Sequence, residues 1–459
     1  MTDIPARPSI SRVLIANRGE IALRAVRACR AIGLETVAIF SSADADSPHV
    51  WAADSAVCLG PPPSTESYLA IPSVLHVAVE MGCDAVYPGY GFLAENAEFA
   101  EACAENNLKF IGPSAEAIRT MGDKARARET AKSFGVPVVP GSDGVYTDAG
   151  KAAKAAKGIG FPMLLKARSG GGGRGMRVTE DLDGFSEAFT QATREAETAF
   201  GDGAIYLERF FPKVRHIEVQ VLGDGKGNSL QFDERDCSVQ RRHQKLVEES
   251  PSPAVDEKLR ARLLEVSGLL TRGIAYEGAG TVEFIFNEAS GEFFFIEMNT
   301  RIQVEHPVTE MRTGLDLVEL QFRIAAGEPL PSLDTDAMPG GHAIEFRINA
   351  EDWMRGFVPS PGRLEAWQPP RGEGIRLDAA VYQGQRITPY YDSMIAKLIV
   401  HGRDRNEALS RARDALSGFR CEGIANTIGF HRILVDEDDF IANRIHTRWT
   451  ETALAWQTD

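Results

Sequence analysis

Residues 12–111 alternate between short apolar strands and helical segments, and this order restricts the possible folds more than any other feature. Arg12–Ala16 and Thr36–Phe40 are predicted strands, and a helix with regularly spaced apolar residues is predicted between them, from Glu20 to Ile32. Asp84–Tyr87 and Leu108–Ile111 are predicted to continue the series. Parallel strands require crossover helices, so this order predicts a doubly wound parallel sheet. The first strand–helix turn lacks the G-x-G-x-x-G pattern, which disfavours a dinucleotide site there.

A small α+β unit is predicted downstream, after a helix over Ala115–Phe134 and a proline-containing linker. It contains predicted strands at Phe161–Ala167 and Ala204–Glu208, with helices before and between them. A unit of this size is small enough to move as a lid. The predicted boundaries are 1–112 for the N-terminal domain, 113–138 for the linker, 139–210 for the lid and 211–459 for a mixed α+β C-terminal domain.

A metal site is predicted on a hairpin in the C-terminal part of the chain. Thr281–Asn287 and Glu292–Met298 are β-rich runs joined by a short loop containing glycine, which indicates a hairpin. Symmetric pairing about Ser290 would place Glu283 opposite Glu297, where like charges repel. A divalent cation would remove this repulsion, and Mg²⁺ prefers oxygen ligands. The alternative is a pair of solvated glutamates at a sheet edge.

The residues that follow this hairpin favour the metal interpretation. Glu297–Pro307 combines carboxylates, the carboxamide of Asn299 and the guanidinium of Arg301 within one short stretch, and Glu305 adds a further carboxylate. A hydrophobic core does not require this density of polar groups. A site that handles a divalent metal, a phosphate and a small anion does.

Two further segments have the composition of anion-binding sites. Lys166–Met176 is a strand end followed by four glycines, whose backbone N–H groups can turn toward phosphates; a flexible loop is the alternative. Cys237–Leu246 carries three cations and a histidine, and its alternative is a solvated basic face. Taken alone, His216 on a predicted strand suggests a structural histidine, and Lys124 suggests a surface lysine.

Composition narrows the functional class. The net charge of −15 disfavours nonspecific binding to nucleic acid or to an anionic membrane, since both require a basic surface. The six cysteines show no C-x-x-C spacing, and no apolar run approaches the length of about 18 residues that a membrane span requires. These features predict a soluble, cytoplasmic protein with reduced cysteines.

Taken together, these segments resemble the biotin carboxylase component of biotin-dependent carboxylases, in the ATP-grasp superfamily. The similar motifs occur in family order along nearly the whole chain. They are Ile15–Ala22, Tyr87–Asn96, Gly112–Ser114, Met121–Lys124, the glycine-rich loop, Glu234–Lys245, Glu297–Pro307, Arg347–Asp352 and Pro389–Ile395.

The resemblance implies an ATP-grasp fold with an N-terminal doubly wound domain, a central lid and a C-terminal α+β domain. It also implies the reaction of ATP, bicarbonate and biotin to give ADP, phosphate and N1′-carboxybiotin, with Mg²⁺ or Mn²⁺ as the metal. The biotin would be carried on a biotin carboxyl carrier protein. Separate carboxyltransferase subunits and a homodimeric assembly are also implied.

Site residues are carried over from the family onto matching positions. Residues implied to bind ATP are Lys124, Lys166, Gly170, Gly171, Gly172, Gly173, Glu208, Arg209, His216, Gln240, His243, Glu283 and Glu297. Residues implied to hold the metal are Glu283, Glu297 and Asn299. Residues implied to contact bicarbonate or biotin are Lys245, Arg301, Gln303, Val304, Glu305, Arg347 and Tyr90. Of these, Glu305 would be the general base and Arg347 would stabilise the biotin enolate, with Lys245 and Arg301 as the other catalytic residues.

Three alternatives stay open at the level of sequence. The same half-reaction could serve acetyl-CoA, propionyl-CoA, 3-methylcrotonyl-CoA or pyruvate carboxylase, because the final acceptor does not touch this component. An ATP-grasp ligase with a non-biotin acceptor is a second alternative. The third is a non-enzymatic scaffold with the same fold.

Overall fold

A computed structural model describes residues 10–168, 176–333 and 338–453. The chain divides into two compact units. The second unit comprises Pro137–Val214 and Ile285–Ile296, and the first comprises the remainder of the chain. Among the described residues, no helix is long and apolar enough to cross a membrane.

The N-terminal part of the first unit is a parallel sheet with helices between its strands. Its elements are β1 (Arg12–Ile15), α1 (Gly19–Ala31), β2 (Glu35–Ser41), α2 (Pro48–Ala52), β3 (Ser55–Gly60), α3 (Ile71–Glu80), β4 (Ala85–Tyr87), α4 (Ala97–Glu105) and β5 (Lys109–Phe110), with short 3-10 helices at Ser42–Asp44 and Ser64–Glu66. The strand order β3-β2-β1-β4-β5, parallel throughout, confirms the predicted doubly wound sheet. Strand β3 was not predicted; it lies at the edge of the sheet, and every residue in it is partly or fully exposed.

The single helix predicted over Ala115–Phe134 is wrong. Two helices occupy this segment, α5 (Ala115–Gly122) and α6 (Lys124–Ser133). Asp123 separates them, because its side chain accepts hydrogen bonds from the backbone N–H groups of Ala125 and Arg126 at 2.9 and 3.0 Å. These bonds cap a new helix and favour an extended conformation at Asp123 itself. Consequently Lys124 is the first residue of α6.

The second unit is an antiparallel sheet of four strands with two helices. Its elements are β6 (Gly141–Tyr146), α7 (Ala149–Ile159), β7 (Met163–Ala167), β8 (Met176–Thr179), α8 (Phe185–Phe200) and β9 (Ile205–Arg209). The strand order is β6-β9-β7-β8. Apolar residues of the sheet and of α8, including Leu165, Phe185, Phe189 and Leu207, form its core. The predicted strands β7 and β9 are present, and β6 and β8 are additional strands.

A sheet of eight strands carries seven of the polar residues singled out above: His216, Gln240, Lys245, Glu283, Glu297, Asn299 and Arg347. The elements from Arg215 to Ala325 are β10 (Arg215–Asp224), β11 (Ser229–Arg241), β12 (Gln244–Ser250), α9 (Glu257–Gly273), β13 (Glu277–Asn287), β14 (Glu292–Asn299), α10 (His306–Thr313) and α11 (Leu317–Ala325). Those that follow are β15 (His342–Asn349), β16 (Glu351–Asp352), a 3-10 helix (Trp353–Arg355), β17 (Val358–Pro359), β18 (Gly362–Arg363), β19 (Ala366–Gln368), β20 (Ile375–Ala379), β21 (Arg386–Ile387), β22 (Met394–Gly402), α12 (Arg405–Gly418), β23 (Arg420–Glu422), α13 (Ile428–Leu434), α14 (Asp438–Ile441) and α15 (Trp449–Ala453). The sheet has the order β14-β13-β10-β11-β12-β15-β22-β20, and β13 and β14 form the predicted hairpin.

A shift in register between β11 and β12 places the side chains of Lys245 and Glu248 in one cluster. Gln240 pairs with Lys245 and Val239 pairs with Val247, so two steps along β12 oppose one step along β11. Such a bulge changes which face of the sheet the following side chains occupy. Lys245 and Glu248 would face opposite sides of a regular strand, yet here both side chains reach the same cluster.

Candidate active site

A lysine ammonium joins three carboxylates at the centre of the candidate site. The Nζ atom of Lys245 lies 2.6 Å from Oε2 of Glu218, 3.0 Å from Oε1 of Glu283 and 2.7 Å from Oε1 of Glu305. These residues come from β12, β10, β13 and the segment before α10. The lysine side chain is 13% exposed and the glutamates are more buried, so the four charges interact in a medium of low dielectric constant.

The pKa values of these groups depend on one another. Burial lowers the pKa of Lys245, but the carboxylates around it raise that pKa well above its ordinary value. Burial raises the pKa of each glutamate, and the charge of Lys245 opposes this effect. As a result, the pKa of Glu218 is lowered to about 2 and that of Glu305 is lowered below its ordinary value. The cluster is therefore ionised at neutral pH.

Arg347 lies on the other side of Glu305. Its Nε atom donates to Oε1 of Glu248 at 2.6 Å, and its Nη2 atom donates to Oε2 of Glu305 at 2.9 Å. Glu305 is thus held by a cation at each oxygen, Lys245 at one and Arg347 at the other. Burial lowers the pKa of Arg347, but Glu248 and Glu305 raise it above its ordinary value. The guanidinium stays charged next to a carboxylate with a fixed orientation.

A second arginine, Arg235, is fully buried and contacts the cluster through Glu218. Arg235 pairs with Glu218 across β10 and β11, and its Nε atom donates to Oε1 of Glu218 at 2.6 Å. Its other nitrogens donate to the side chains of Gln220, Thr281, Gln303 and Thr309. Sequence reasoning did not single out Glu218, Glu248 or Arg235. A signal was available for Glu218, which follows His216 by two residues on a strand of otherwise apolar alternation, and for Arg235, which lies within the Glu234–Lys245 motif.

Replacing Arg235 with methionine is expected to destabilise the first unit by about 3–5 kcal/mol, because removal of one partner leaves a buried carboxylate and several acceptors less well compensated. Urea unfolding followed by tryptophan fluorescence measures this change. Arg262 provides the control, since its pair with Glu265 is about half exposed on α9. Arg262→Met should change the free energy of unfolding by less than about 1 kcal/mol. Equal effects of the two substitutions would contradict the structural role of Arg235.

The residues predicted to hold a metal lie together on the hairpin of β13 and β14. Asn299 Nδ2 donates to Oε1 of Glu283 at 2.9 Å, and His216 Nε2 lies 3.0 Å from Oε2 of Glu283. Burial raises the pKa of Glu297, and the negative charge of Glu283 raises it further. A divalent cation would remove this repulsion, and two carboxylates with a carboxamide supply the oxygen ligands that Mg²⁺ prefers. These residues therefore fit a magnesium site.

The predicted anion-binding residues surround the same cluster. Arg301 donates from Nε to Oε2 of Glu95 at 2.9 Å and from Nη2 to Oδ1 of Asn299 at 3.0 Å. Gln303 Nε2 donates to Oε1 of Glu283 at 2.7 Å. Sequence reasoning did not identify Glu95 as a partner of Arg301.

Tyr90 and Val304 are connected through a fully buried lysine. Tyr90 follows β4 at the carboxyl end of the parallel sheet, and its hydroxyl donates to Oε1 of Glu20. Lys397 lies 3.1 Å from the same oxygen, and it donates to the backbone oxygen of Val304 at 2.9 Å. This lysine fixes the peptide next to Glu305, a role that the sequence did not indicate.

The other predicted nucleotide-binding residues are distributed over both units. In the second unit, Lys166 on β7 forms an ion pair with Glu208 on β9, where Arg209 is the last residue. Gly170, Gly171, Gly172 and Gly173 lie outside the described residues. In the first unit, Gln240 is buried on β11 and donates from Nε2 to the backbone oxygen of Cys237 at 3.3 Å. His243 lies in the two-residue turn between β11 and β12 with φ of +67°, so its exposed side chain projects from a constrained backbone.

Comparison with known proteins agrees with this arrangement. Three protein-family models match the chain. They are the biotin carboxylase N-terminal domain over residues 9–118, the carbamoyl-phosphate synthase L chain ATP-binding domain over 123–333, and the biotin carboxylase C-terminal domain over 345–452. Biotin carboxylase 1 of Bacillus subtilis is 50% identical over 443 residues, which are 96% of this chain and 98% of the relative. A pyruvate carboxylase subunit from Methanothermobacter thermautotrophicus is 45% identical over 96% of this chain and 89% of its own length.

A solved structure extends the similarity to three dimensions. It is a dimer of the biotin carboxylase domain of 2-oxoglutarate carboxylase from Hydrogenobacter thermophilus, in complex with MgADP, ADP and bicarbonate. The TM-score is 0.88 at 46% sequence identity, over 98% of this chain and 99% of the other.

Proposed function

The chain belongs to the biotin carboxylase family and is an ATP-dependent ligase of the ATP-grasp fold, and we propose that it carboxylates N1′ of biotin on a carrier protein as the first half-reaction of acetyl-CoA carboxylase. One observation carries this proposal: the carboxylate of Glu305 lies between the ammonium of Lys245 and the guanidinium of Arg347. A base beside two cations suits a reaction that first deprotonates one anion and then stabilises another.

In the proposed first step, bicarbonate binds to Lys245, Arg301 and the backbone of Gln303 and Val304. Glu305 removes the last proton of bicarbonate, and the resulting oxygen attacks the γ-phosphate of ATP. ADP leaves, and carboxyphosphate forms. Phosphoryl transfer depends mainly on positioning and charge neutralisation, which the buried cations of this cluster supply.

The nucleotide and its metal would be held by the residues with matching chemistry. Glu283, Glu297 and Asn299 would hold Mg²⁺ or Mn²⁺, which when bound neutralises the charge of the phosphates. Lys124, Lys166, His216, Gln240 and His243 would contact ATP, with Gly170–Gly173 covering the phosphates and Glu208 and Arg209 near the adenine. The donor set of the hairpin supports the metal assignment, because its two carboxylates repel each other without a cation.

In the proposed second step, carboxyphosphate breaks down to CO₂ and phosphate, and the phosphate removes the N1′ proton of biotin. The negative charge then moves to the ureido oxygen, where Arg347 would stabilise it. A guanidinium suits this role because it stays protonated and donates in a planar fork. Tyr90 would lie near the same substrate.

The partners follow from this chemistry. A biotin carboxyl carrier protein must present biotin, and carboxyltransferase subunits must take the carboxyl group onward. We also propose a homodimer, which the dimeric biotin carboxylase domain from H. thermophilus supports. The similarity to components of pyruvate and 2-oxoglutarate carboxylases favours these two keto acids as alternative final acceptors. A cytoplasmic location stays a prediction.

The test is ATP hydrolysis in the presence of Mg²⁺ and bicarbonate, with and without free biotin. Turnover that requires bicarbonate and increases with biotin would support the proposal. Turnover that is indifferent to biotin would instead indicate an ATP-grasp ligase with another acceptor. If biotin does stimulate turnover, co-purification of a carboxyltransferase would identify the acyl-CoA or keto acid that receives the carboxyl group.

Replacing Glu283 with glutamine is expected to raise the Mg²⁺ concentration required for half-maximal ATP hydrolysis by about 10–100-fold, because the substitution removes the charge of one proposed ligand and alters the oxygen that accepts from Asn299 Nδ2. A titration of activity against Mg²⁺ at fixed ATP measures the shift. Glu292→Gln is the control, since Glu292 lies on the same hairpin with an exposed side chain. An unchanged Mg²⁺ requirement in Glu283→Gln would contradict the assignment of this ligand.

A further inference from the structure

A pair of fully buried glutamates adjoins Arg347 outside the proposed catalytic set. Glu248 on β12 and Glu345 on β15 are cross-strand neighbours, and both residues are inaccessible to solvent. Oε1 of Glu248 lies 2.6 Å from Nε and 2.5 Å from Nη2 of Arg347. Within residues 10–168, 176–333 and 338–453, Oε2 of Glu248 and both oxygens of Glu345 have no hydrogen-bond partner. Two buried carboxylates in adjacent positions cannot both ionise without strong repulsion.

If one of the two carboxyl groups is protonated, their different environments indicate which one carries the proton. Glu248 touches a guanidinium, whereas Glu345 touches no cation directly among the residues that the structure describes. Burial raises the pKa of Glu345 well above its ordinary value, in spite of the charge of Lys397 nearby. Burial also raises the pKa of Glu248, but the charge of Arg347 limits this rise to about 7. Glu345 therefore carries the proton of the pair, and Glu248 carries the charge above neutral pH.

The contact of Arg347 with Glu248 determines which edge of its guanidinium is available. Nε and Nη2 are engaged by Glu248 and Glu305. In the described part of the chain, Nη1 has no acceptor. Without Glu248, the guanidinium could turn its Nη1–Nη2 edge onto Glu305 and form a bidentate pair, as arginine commonly does with a carboxylate. Glu248 prevents this rotation because it fixes the Nε edge.

We propose that Glu248 is a positioning residue for biotin carboxylation, which holds Arg347 so that Nη1 faces the ureido oxygen of biotin. The inference rests on the proposed function, since it concerns the orientation of a group that acts on biotin. Glu248 itself touches neither biotin nor ATP in this scheme. It acts through Arg347, and its effect is confined to the step at which negative charge develops on biotin.

The proposed role has a defined pH dependence. The charged and titratable groups around Glu248 are Arg347 and Glu345 from β15, Lys245 from β12 itself, Cys237 from β11 and Glu305 from the segment before α10. Lys397 from β22 and Tyr90 interact with Glu345. Because burial raises the pKa of Glu248 to about 7, we expect its carboxylate to become protonated as the pH falls through neutrality. Biotin-dependent turnover should therefore decrease as the pH falls through neutrality, and the bicarbonate-dependent ATP hydrolysis without biotin should not share this dependence.

The test compares Glu248→Gln with the parent enzyme in ATP hydrolysis with bicarbonate, with and without biotin, from about pH 6 to 9. We expect the biotin-dependent kcat to fall at least about tenfold, since misorientation of a catalytic group is costly. The biotin-independent rate and the KM for ATP should change less than about twofold, and the pH dependence near neutrality should disappear. A purely structural role would lower both rates together, with a lower melting temperature, and would overturn the proposal.

Two further variants keep the inference testable. Glu345→Gln mimics a protonated carboxyl group, so it should leave the biotin-dependent pH profile unchanged; a profile shifted to lower pH would show that Glu345 is ionised and overturn the proton assignment. If Glu248→Gln does not fold, Glu248→Asp retains the charge but withdraws it from Nε, and the same selective loss is expected. Glu249→Gln is the control on the same strand, because Glu249 contacts His342 and Arg405 instead of Arg347.

The outcomes also separate this inference from the proposed function. Parent enzyme that is stimulated by biotin, together with an unaltered Glu248→Gln variant, would overturn only the positioning role. Parent enzyme that hydrolyses ATP without any effect of biotin would overturn both.

Discussion

Replacing Arg347 with alanine is expected to reduce biotin-dependent turnover by about 10²–10³-fold, while binding of MgATP is retained. The guanidinium is the one group in the proposed scheme that stabilises negative charge on biotin. Water molecules that fill its place would not present hydrogen-bond donors in a fixed orientation. The substitution also removes one of two cations from Glu305, but Lys245 still holds the other oxygen at 2.7 Å. Bicarbonate-dependent ATP hydrolysis without biotin should therefore be much less affected.

Steady-state kinetics with and without biotin, combined with calorimetric titration of MgATP, measures both parts of this expectation. Arg347→Lys separates charge from geometry: lysine keeps the charge but lacks the fork that engages Glu248 and Glu305 together, so it should recover only a small part of the rate. Arg355→Ala is the control, because Arg355 is 82% exposed and pairs only loosely with Asp352 at 3.7 Å. Biotin-dependent turnover that survives in Arg347→Ala would exclude this residue as the partner of biotin.

The hairpin of β13 and β14 was largely predictable from the sequence. Periodicity and the short loop predicted its two strands, and their aromatic content explains why they are stable in a sheet. The electrostatic effect of Glu283 on Glu297 is consistent with the predicted pairing, because strands joined by a short loop have few possible registers. The interaction of Glu283 with Asn299 is consistent with that reasoning.

The residues that support the proposed catalytic residues were not predictable in the same way. Arg235, Glu248 and Lys397 act across strands that are distant in sequence, and each is fully buried. A charged residue on a strand is normally assigned to a solvated face, so pattern alone indicates the opposite environment. Only the tertiary structure shows that each of these charges has partners, and that the bulge in β12 brings Lys245 and Glu248 to one cluster.

The N-terminal half shows the same distinction between local and distant information. The parallel strands β1, β2 and β4 were predicted because their buried residues form short apolar runs. The break at Asp123 was missed, although aspartate before a helix is a known capping residue, because the apolar spacing continues on either side of it. The division of the chain into an N-terminal domain, a lid and a C-terminal domain stays a proposal.

Glu305→Gln is expected to reduce turnover by about 10²–10⁴-fold both with and without biotin, because a missing general base impairs the step that precedes biotin. Burial raises the pKa of Glu305, yet Lys245 and Arg347 lower it, so that the carboxylate is ionised throughout the neutral range. A weakly basic carboxylate is a poor proton acceptor in isolation. Binding of bicarbonate beside Lys245 would share the charge of that lysine and raise the basicity of Glu305 at the moment of reaction.

The glutamine has nearly the same shape, but its amide can accept from only one of the two cations that hold Glu305, so the melting temperature of Glu305→Gln must be measured beside its rate to separate proton transfer from packing. ATP hydrolysis dependent on bicarbonate is the measurement, with Glu319→Gln as the control, since Glu319 pairs with its helical neighbour Arg323 on a partly exposed face. The comparison with Arg347→Ala then divides the reaction in two: one variant should lose only the biotin-dependent rate, and the other should lose both. If Glu305→Gln kept its rate without biotin, another group would have to deprotonate bicarbonate, and the two cations at Glu305 would then serve structure alone.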